Sequence, residues 1–460
     1  MYVFTSSPRD RACTARSAAG SDRHQQRDKC LQNSFKAVVL LGVLSIATQP
    51  VRGADMSALS WDECVAEASA NNSELLAARA GVEAAGHSHS KARGQLRPKL
   101  SAYGTYDRID GDIGGSGETG NSSYERRDYG VGIRLERSFS TGGRNKAAVR
   151  RQGALAQAEE ASYADTCTAV SYELRIAFTE LLYAQESEEL ATEILNRRTE
   201  NLELVSLRFD GGREHKGSYL LSKALFQEAE TQHTQAVRSI SVARERLASV
   251  LGRKQPDGLQ VQGTLADKES TTRQGNRQSL TEHPAYRTAL ANLEYAEADV
   301  KVARSEFFPD IAVSSSFGRS GDDSSLEDEE WRVGVTLTVP LFEGFSNRHG
   351  LSESKARRVE AQHSRQSTFD KLTVALSEKA NAFRSASEDL LVRQKLMEAA
   401  LVRAEIARAQ YDNGLMPFES WDIIENDLIA RQKQHLEAER QFAQTEAAWR
   451  LALGEGDIEP

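Results

Sequence analysis

The chain has 460 residues and a formal net charge of −9, with 27% charged and 7% aromatic residues. That length allows two or three domains, but few aromatics and long Ala/Glu/Arg/Gln/Leu stretches are the profile of long helices, not of compact mixed globules. The acidic balance argues against nucleic acid as a partner, and the four cysteines lack any zinc spacing.

Residues 1–53 read as a signal peptide with an upstream extension. Arg23, Arg27, Lys29 and Lys36 precede the apolar run Ala37 to Ala47, and Val51-Arg52-Gly53 or Gly53-Ala54 offers a small-residue cleavage site. The run is too short to cross a bilayer as a helix, which takes about 20 residues. The stretch before it is long for a signal peptide, so a start further downstream is expected. With no cysteine placed for lipid attachment, export without an N-terminal lipid anchor is expected too. Beyond residue 53 remain 50 basic and 64 acidic groups, a net charge of −14, and two cysteines, Cys64 and Cys167. Both fall on predicted helices and read as small apolar fillers.

The rest is one module written twice, at residues 54–252 and 279–460, joined by a polar linker at 253–278. A shift of 202 lays Phe209-Asp210-Gly211-Gly212 on Tyr411-Asp412-Asn413-Gly414 and Leu251-Gly252 on Leu453-Gly454. Upstream, Arg97-Pro98-Lys99-Leu100 matches Phe308-Pro309-Asp310-Ile311 at a shift of 211, so the first copy carries the longer insertion between. A period of this length is too long for a solenoid repeat.

Each copy opens with a helix, Trp61 to about Arg97 and Ser279 to about Phe307, stopped by Pro98 or Pro309. Two strands follow, about 99–108 and 128–139 in the first copy, about 310–318 and 331–342 in the second. Tyr129, Val131, Ile133 and Leu135 alternate with Gly130, Gly132, Arg134 and Glu136. Trp331, Val333, Val335 and Leu337 alternate with Arg332, Gly334, Thr336 and Thr338. Alternation over about ten residues with an aromatic at the strand end suits a membrane barrel, although a half-buried soluble sheet gives the same pattern. The loops at 109–127 and 319–330 are rich in Gly, Ser, Asp and Glu, as long solvated loops are.

Long helices without internal proline are then predicted over 143–209 and 345–411, each roughly 100 Å long at 1.5 Å per residue. One heptad position stays apolar: Leu174, Leu181, Leu195 and Leu202 in the first, Leu376, Phe383, Leu390 and Met397 in the second. Glu188 interrupts the first series. Such a repeat implies left-handed supercoiling. Gly211-Gly212 and Asn413-Gly414 permit left-handed helix ends, and return helices follow over 217–251 and 418–453.

Four strands cannot close a barrel, which takes roughly eight, and open sheet edges in lipid leave unpaired backbone groups. Strands in a membrane therefore require several chains, and three would supply twelve strands. The chain resembles the TolC family of outer-membrane efflux and secretion channels. The resemblance is carried by Asn72-Ser73-Glu74-Leu75, Phe308-Pro309-Asp310-Ile311, Val339-Pro340-Leu341-Phe342-Glu343-Gly344 and Tyr411-Asp412-Asn413-Gly414, in this order and duplicated. It implies a mixed α/β membrane protein, a homotrimer in the outer membrane whose shared twelve-stranded barrel continues into a helical barrel in the periplasm. It also implies a periplasmic adaptor and an inner-membrane transporter as partners, outer-membrane lipid around the strands, and no cofactor. Pro340 and Gly344 then make the strand-to-helix turn. The first copy lacks that proline, and Gly142-Gly143 is expected to make its bend.

The resemblance puts the periplasmic gate at the turns after the long helices. The positions usually acidic there fall on Ser420 and Ile423, so Asp422 and Glu425 are taken as candidates in their place. Arg213, Tyr411 and Gly414 complete the set. Arg134, Glu136, Arg332 and Thr336 are candidates for the barrel lumen, with Tyr129, Val131, Trp331 and Val333 towards lipid. His87 and His89, two apart on a helix, cannot act as an i,i+4 metal pair, and no nucleophile–base motif points to an enzyme. Two other readings compete with a passive export duct. A secreted coiled-coil scaffold has no need for ten-residue apolar faces ending in Trp or Tyr. A periplasmic metal-binding protein rests only on scattered His and Asp.

Overall fold

A computed structural model describes residues 58–113, 122–140, 142–256, 258–266, 279–322 and 325–460, all within one compact unit, Met56–Pro460. The expected signal segment 1–53, residues 114–121 of the first loop and residues 267–278 of the linker lie outside the described residues. In chain order the elements are α1 (Trp61–Asn71), α2 (Ser73–Gly94), β1 (Lys99–Ile113), β2 (Ser122–Ser140), α3 (Arg144–Asp210) and α4 (Lys216–Leu251). After a 3-10 turn at Ser279–Thr281 come α5 (Pro284–Ser305), β3 (Asp310–Gly321), β4 (Asp328–Thr338), α6 (Ser346–Asp412) and α7 (Phe418–Leu453). Among the described residues no helix is long and apolar enough to cross a membrane.

The duplication holds at the level of element boundaries. Shifting α3 and α4 by 202 gives α6 and α7, and shifting α2 and the start of β1 by 211 gives α5 and the start of β3. The difference of nine residues therefore sits within the first strand hairpin. There the strands run beyond their expected ends, taking in much of the supposed loop. By contrast β4 stops at Thr338 and not at 342, because Pro340 has no N–H to give the ladder.

The single opening helix expected from the sequence is two helices. Ser60 starts α1 with a capping box, its Oγ accepting from the Glu63 N–H while Glu63 accepts from the Ser60 N–H at 2.8 Å. Asn72 then leaves the helical conformation. Its side-chain oxygen accepts from the N–H groups of Glu74 and Leu75, starting α2, and its Nδ2 donates to the Val250 carbonyl at 2.8 Å. The break thus pins the opening helices to the end of α4.

The two long helices have equal length and unequal surroundings. Helix α3 packs against α2, α4, α5 and α7, whereas α6 packs against α5 and α7. Accordingly Cys167, Leu174 and Leu181 are buried in one continuous core, while α6 buries Phe383 midway and Ala400, Ala404, Ala407 and Tyr411 near its end. Glu188 interrupts the apolar series because it faces polar groups: its carboxylate lies 3.4 Å from His233 Nε2 on α4 and accepts from Thr192 at 3.3 Å. Cys64 and Cys167 are free and buried, and burial pushes the Cys64 thiol up to about 11.

The linker is not simply polar tether. Leu259, Val261 and Leu265 are buried in the main core with α1 and α3, and burying each contributes about 1.5–3 kcal/mol. Val261 bridges to Leu59 in parallel fashion. Gln185 on α3 grips the same residue as a second peptide would, accepting from its N–H at 3.1 Å and donating to its carbonyl at 3.0 Å. That pair of hydrogen bonds fixes the crossing from one repeat to the next against the first long helix.

Candidate functional site: barrel wall and helical tip

The four strands form one antiparallel sheet in the order β1-β2-β3-β4. In antiparallel pairs, residues directly opposite share a face. One cross-strand row is therefore Ala102, Ile133, Phe317 and Trp331, and another is Leu100, Leu135, Ser315 and Val333. Val131 and Tyr129 lie on this same apolar face, where Tyr129 packs on Tyr106 with ring centroids 4.9 Å apart. Trp331 is 74% exposed and Val335 69%, so the face is uncovered in the single chain. The opposite face carries the row Ser101, Arg134, Ser316 and Arg332, with Glu136 and Thr336 one and two steps further along their strands. The sheet thus gathers Arg134, Glu136, Arg332 and Thr336 on one side and Tyr129, Val131, Trp331 and Val333 on the other.

The strand-to-helix turns differ in chemistry and agree in shape. In the second copy Gly344 (φ 60) and Phe345 (φ 65) both adopt left-handed backbone before α6, and Ser346 N–H bonds the Glu343 carbonyl at 3.1 Å. Phe345 bears the strain of a bulky residue at positive φ. In the first copy Gly143 (φ 75) stands where Phe345 does, and no side chain would fit at Gly142, whose Cβ would come 2.8 Å from Phe308 and 2.9 Å from the Ser305 carbonyl.

At the far end both long helices close with the same motif. Gly212 and Gly414 take φ near 70°, Gly212 N–H and Arg213 N–H bond the Phe209 and Arg208 carbonyls, and Gly414 N–H and Leu415 N–H bond those of Tyr411 and Gln410. Tyr411 is fully buried, stacked on Trp421 at 4.3 Å and edge-on to Phe418. Its hydroxyl donates to Glu214 Oε2 at 3.1 Å, and Glu214 also accepts from Ser218 at 3.0 Å. Arg208 lies over the Tyr411 ring at 4.2 Å and donates to its carbonyl at 2.7 Å. Burial pushes the Tyr411 hydroxyl up to about 12, with Glu214 adding to the rise and Arg208 opposing it. Arg213 contributes only its backbone N–H to the turn, and its side chain is exposed.

Asp422 and Glu425 sit above this cluster on α7 and face inward to α3. The Glu425 side chain is 1% exposed and takes a two-point ion pair from Arg197, 2.6 and 3.1 Å. It is therefore an interior group and not one facing a water-filled axis. Asp422 lies 3.6 Å from Arg198 and accepts from Asn426 at 2.9 Å. Burial pulls its pKa up against the attraction of Arg198, and burial lowers that of Arg198 itself. The exposed neighbour on this turn is Ile423, at 65%. Sequence reasoning missed Arg197, Arg198 and Arg208 as partners. Their signal was present: one repeat later these positions are Ala399, Ala400 and Gln410, so the charge belongs to one copy alone.

A four-stranded sheet with one apolar and one charged face, mounted on two long helical hairpins that interlock at their tips, defines a component of an envelope-spanning duct. The chain belongs to the family described as outer membrane efflux protein, matched over residues 64–253 and 276–455. It is 27% identical over 393 residues to outer membrane protein OprJ of Pseudomonas aeruginosa, covering 79% of each chain. It is 27% identical over 315 residues to the nickel and cobalt resistance protein CnrC of Cupriavidus metallidurans, covering 65% of this chain and 70% of that one. Among solved structures, the Campylobacter jejuni CmeC outer membrane channel superposes with a TM-score of 0.78 at 17% identity, covering 87% of each chain. The chain is thus an outer-membrane efflux channel protein with the barrel-and-helical-tunnel fold.

Proposed function

We propose that three copies close one barrel in the outer membrane above a helical tunnel in the periplasm. This duct serves a tripartite efflux pump or a type I secretion system. The observation that carries this is the pair of sheet edges: among the described residues β1 and β4 each bond one neighbour only. In lipid every backbone group left open costs several kcal/mol, and pairing β4 of one copy with β1 of the next removes all such edges at twelve strands. Arg134, Glu136, Arg332 and Thr336 then line the lumen, and Trp331 and Val333 meet lipid. A periplasmic adaptor and an inner-membrane transporter deliver cargo at the helical end. Conduction is passive, and the transporter makes the primary choice of cargo.

The tip acts as the gate in this reading. Tyr411, held by Arg208, Glu214 and Trp421, locks the second hairpin to the first, and Gly414 lets the chain turn tightly beside it. Asp422 and Glu425 serve as ties to α3, and Arg213 presents charge at the surface of the turn. Detergent-solubilised protein should give a trimer by native mass measurement and should stay with membranes through salt and alkali washes. A stable monomer released by salt would overturn the duct and restore the secreted-scaffold alternative.

A further inference from the structure

The register sets two arginines in one row of the charged sheet face. Arg134 stands opposite Ser316, and Ser316 opposite Arg332, with Ser101 completing the row on β1. Two strand spacings separate the guanidinium-bearing positions, about 10 Å. Both side chains are open to solvent, 49% and 75% exposed, and each has one carboxylate beside it on its own strand. Arg134 lies 3.9 Å from Glu136 on the periplasmic side, and Arg332 2.6 Å from Glu330 on the outer side. A guanidinium has five N–H donors, so one carboxylate leaves donors unused on each.

Beside the row, the wall is shaped for an aromatic ring. Tyr103 stands opposite Gly132, which stands opposite Gly318. A Cβ on Gly132 would come 2.8 Å from the Tyr103 hydroxyl and one on Gly318 2.9 Å, so the tyrosine reaches over both glycines along the wall. Arg134 caps its ring, with the guanidinium 4.9 Å from the centroid. Stacking between a cation and a ring favours one fixed placement of both.

We infer that this row is a selectivity belt of the barrel that takes anionic cargo, flat aromatic carboxylates above all; the inference rests on the duct reading above. Threefold assembly repeats the row three times and gives six guanidinium groups alternating with six serines around twelve strands. Strand tilt makes the belt zigzag. A closed barrel of this size has a backbone radius of roughly 12 Å, which extended arginines narrow substantially. Rings of arginine or lysine attract anions and exclude cations, and a carboxylate can take both free donors of one guanidinium in fork geometry. The aromatic part of the cargo then has the Tyr103–Arg134 stack beside it. Outward on the same face the sign changes: Glu330 stands two residues beyond Arg332, and Ser320 stands opposite Asp328.

The test uses the protein without its expected signal segment 1–53, and so without Cys13 and Cys30, reconstituted in vesicles with Ser316→Cys or Ser320→Cys as reporters; Cys64 and Cys167 are buried. An anionic methanethiosulfonate reagent should outpace a cationic one at Ser316→Cys by about tenfold, with the preference reversed at Ser320→Cys. Sodium 2-naphthoate should slow labelling at Ser316→Cys and leave Ser320→Cys unaffected. Adding Arg134→Gln and Arg332→Gln should remove both effects. Equal charge preference at the two reporters, or naphthoate protection of neither or of both alike, overturns the belt, while a trimer by native mass measurement would still uphold the duct. Failure of either reporter to react from the aqueous lumen would instead overturn the duct reading and the belt together. The measurements on the two reporters alone leave both arginines in place, so they remain decisive if the arginine variants fail to assemble.

Discussion

Arg208 holds Tyr411 from two directions, its guanidinium carbon 4.2 Å from the ring centroid and its Nη2 2.7 Å from the backbone carbonyl. One residue ends the first long helix and the other ends the second, so a single side chain ties the two hairpins at their tips. Tyr411→Ala removes a fully buried stacked ring and should cost about 3–5 kcal/mol in local stability. Resting conductance in planar bilayers should rise in this variant and in Arg208→Met. Tyr411→Phe keeps the stack and loses the hydroxyl's bond to Glu214, about 1 kcal/mol, so its conductance should stay near the unmodified level. A gate at this position is refuted if Tyr411→Ala and Arg208→Met conduct as the unmodified protein does.

The Arg197–Glu425 pair lies deep between α3 and α7, with Arg197 18% exposed. Glu425→Ala leaves the arginine without its partner and should cost about 3–5 kcal/mol. Replacing both, as Arg197→Met with Glu425→Leu, should recover most of that loss. Chemical denaturation of the four-member mutant cycle measures the coupling, and additive single losses would show that the pair contributes nothing of its own.

Glu186 on α3 is pushed up to about 7 by burial, with Glu439 and Glu189 adding to the rise. The folded chain therefore holds this proton more tightly than the unfolded chain, whose carboxyl titrates near 4.5. The contribution is full below about 4.5 and is lost as pH rises through 7. Glu186→Gln should raise stability at pH 8 by about 1 kcal/mol, after allowing for solvent screening, and leave it unchanged at pH 4.5. Thermal unfolding at the two pH values measures the difference, and an equal effect at both would exclude titration of this group as the cause.

Glycines of the sheet should respond unequally to substitution. A Cβ on Gly132 would lie 2.6 Å from the Phe317 carbonyl oxygen and 2.8 Å from Gly318 Cα, whereas one on Gly334 meets only Ser314 Oγ at 3.5 Å. Gly132→Ala should sharply lower the yield of assembled protein, and Gly334→Ala should leave it near normal. Similar yields for both would mean that the β2–β3 pairing relaxes at no cost.

Much of the fold was legible because its boundaries are written in local chemistry. Pro98 and Pro309 stop helices, and Gly212 and Gly414 end them, with no help from distant contacts. The break at Asn72 was not legible, since half of its hydrogen bonding depends on Val250, 178 residues away. Nor was the unequal burial of α3 and α6, which share one heptad pattern and differ in their neighbours. At the tip, the helix end marked by Tyr411 and Gly414 was legible from its place in the repeated motif. Glu425 was misread because acidity alone does not tell a solvated carboxylate from one matched by Arg197. Comparing the copies for charge would have separated them: Glu425 corresponds to Lys223, and Arg197 to Ala399. At Arg197 and Arg208 the charge that one copy alone carries holds the other copy.

The nine residues by which the first strand hairpin exceeds the second have a consequence for how the assembled molecule meets the outside world. Beyond the Tyr106–Tyr129 pair this hairpin continues with Arg108, Asp110, Glu125 and Arg127 joined in ion pairs, while β3 and β4 end at Gly321 and Asp328. Three tall hairpins would therefore alternate with three short ones, giving the cell-surface rim a crown of three points. Molecules arriving from outside would encounter those points first. Variation there would change what they recognise while leaving the conducting bore below untouched.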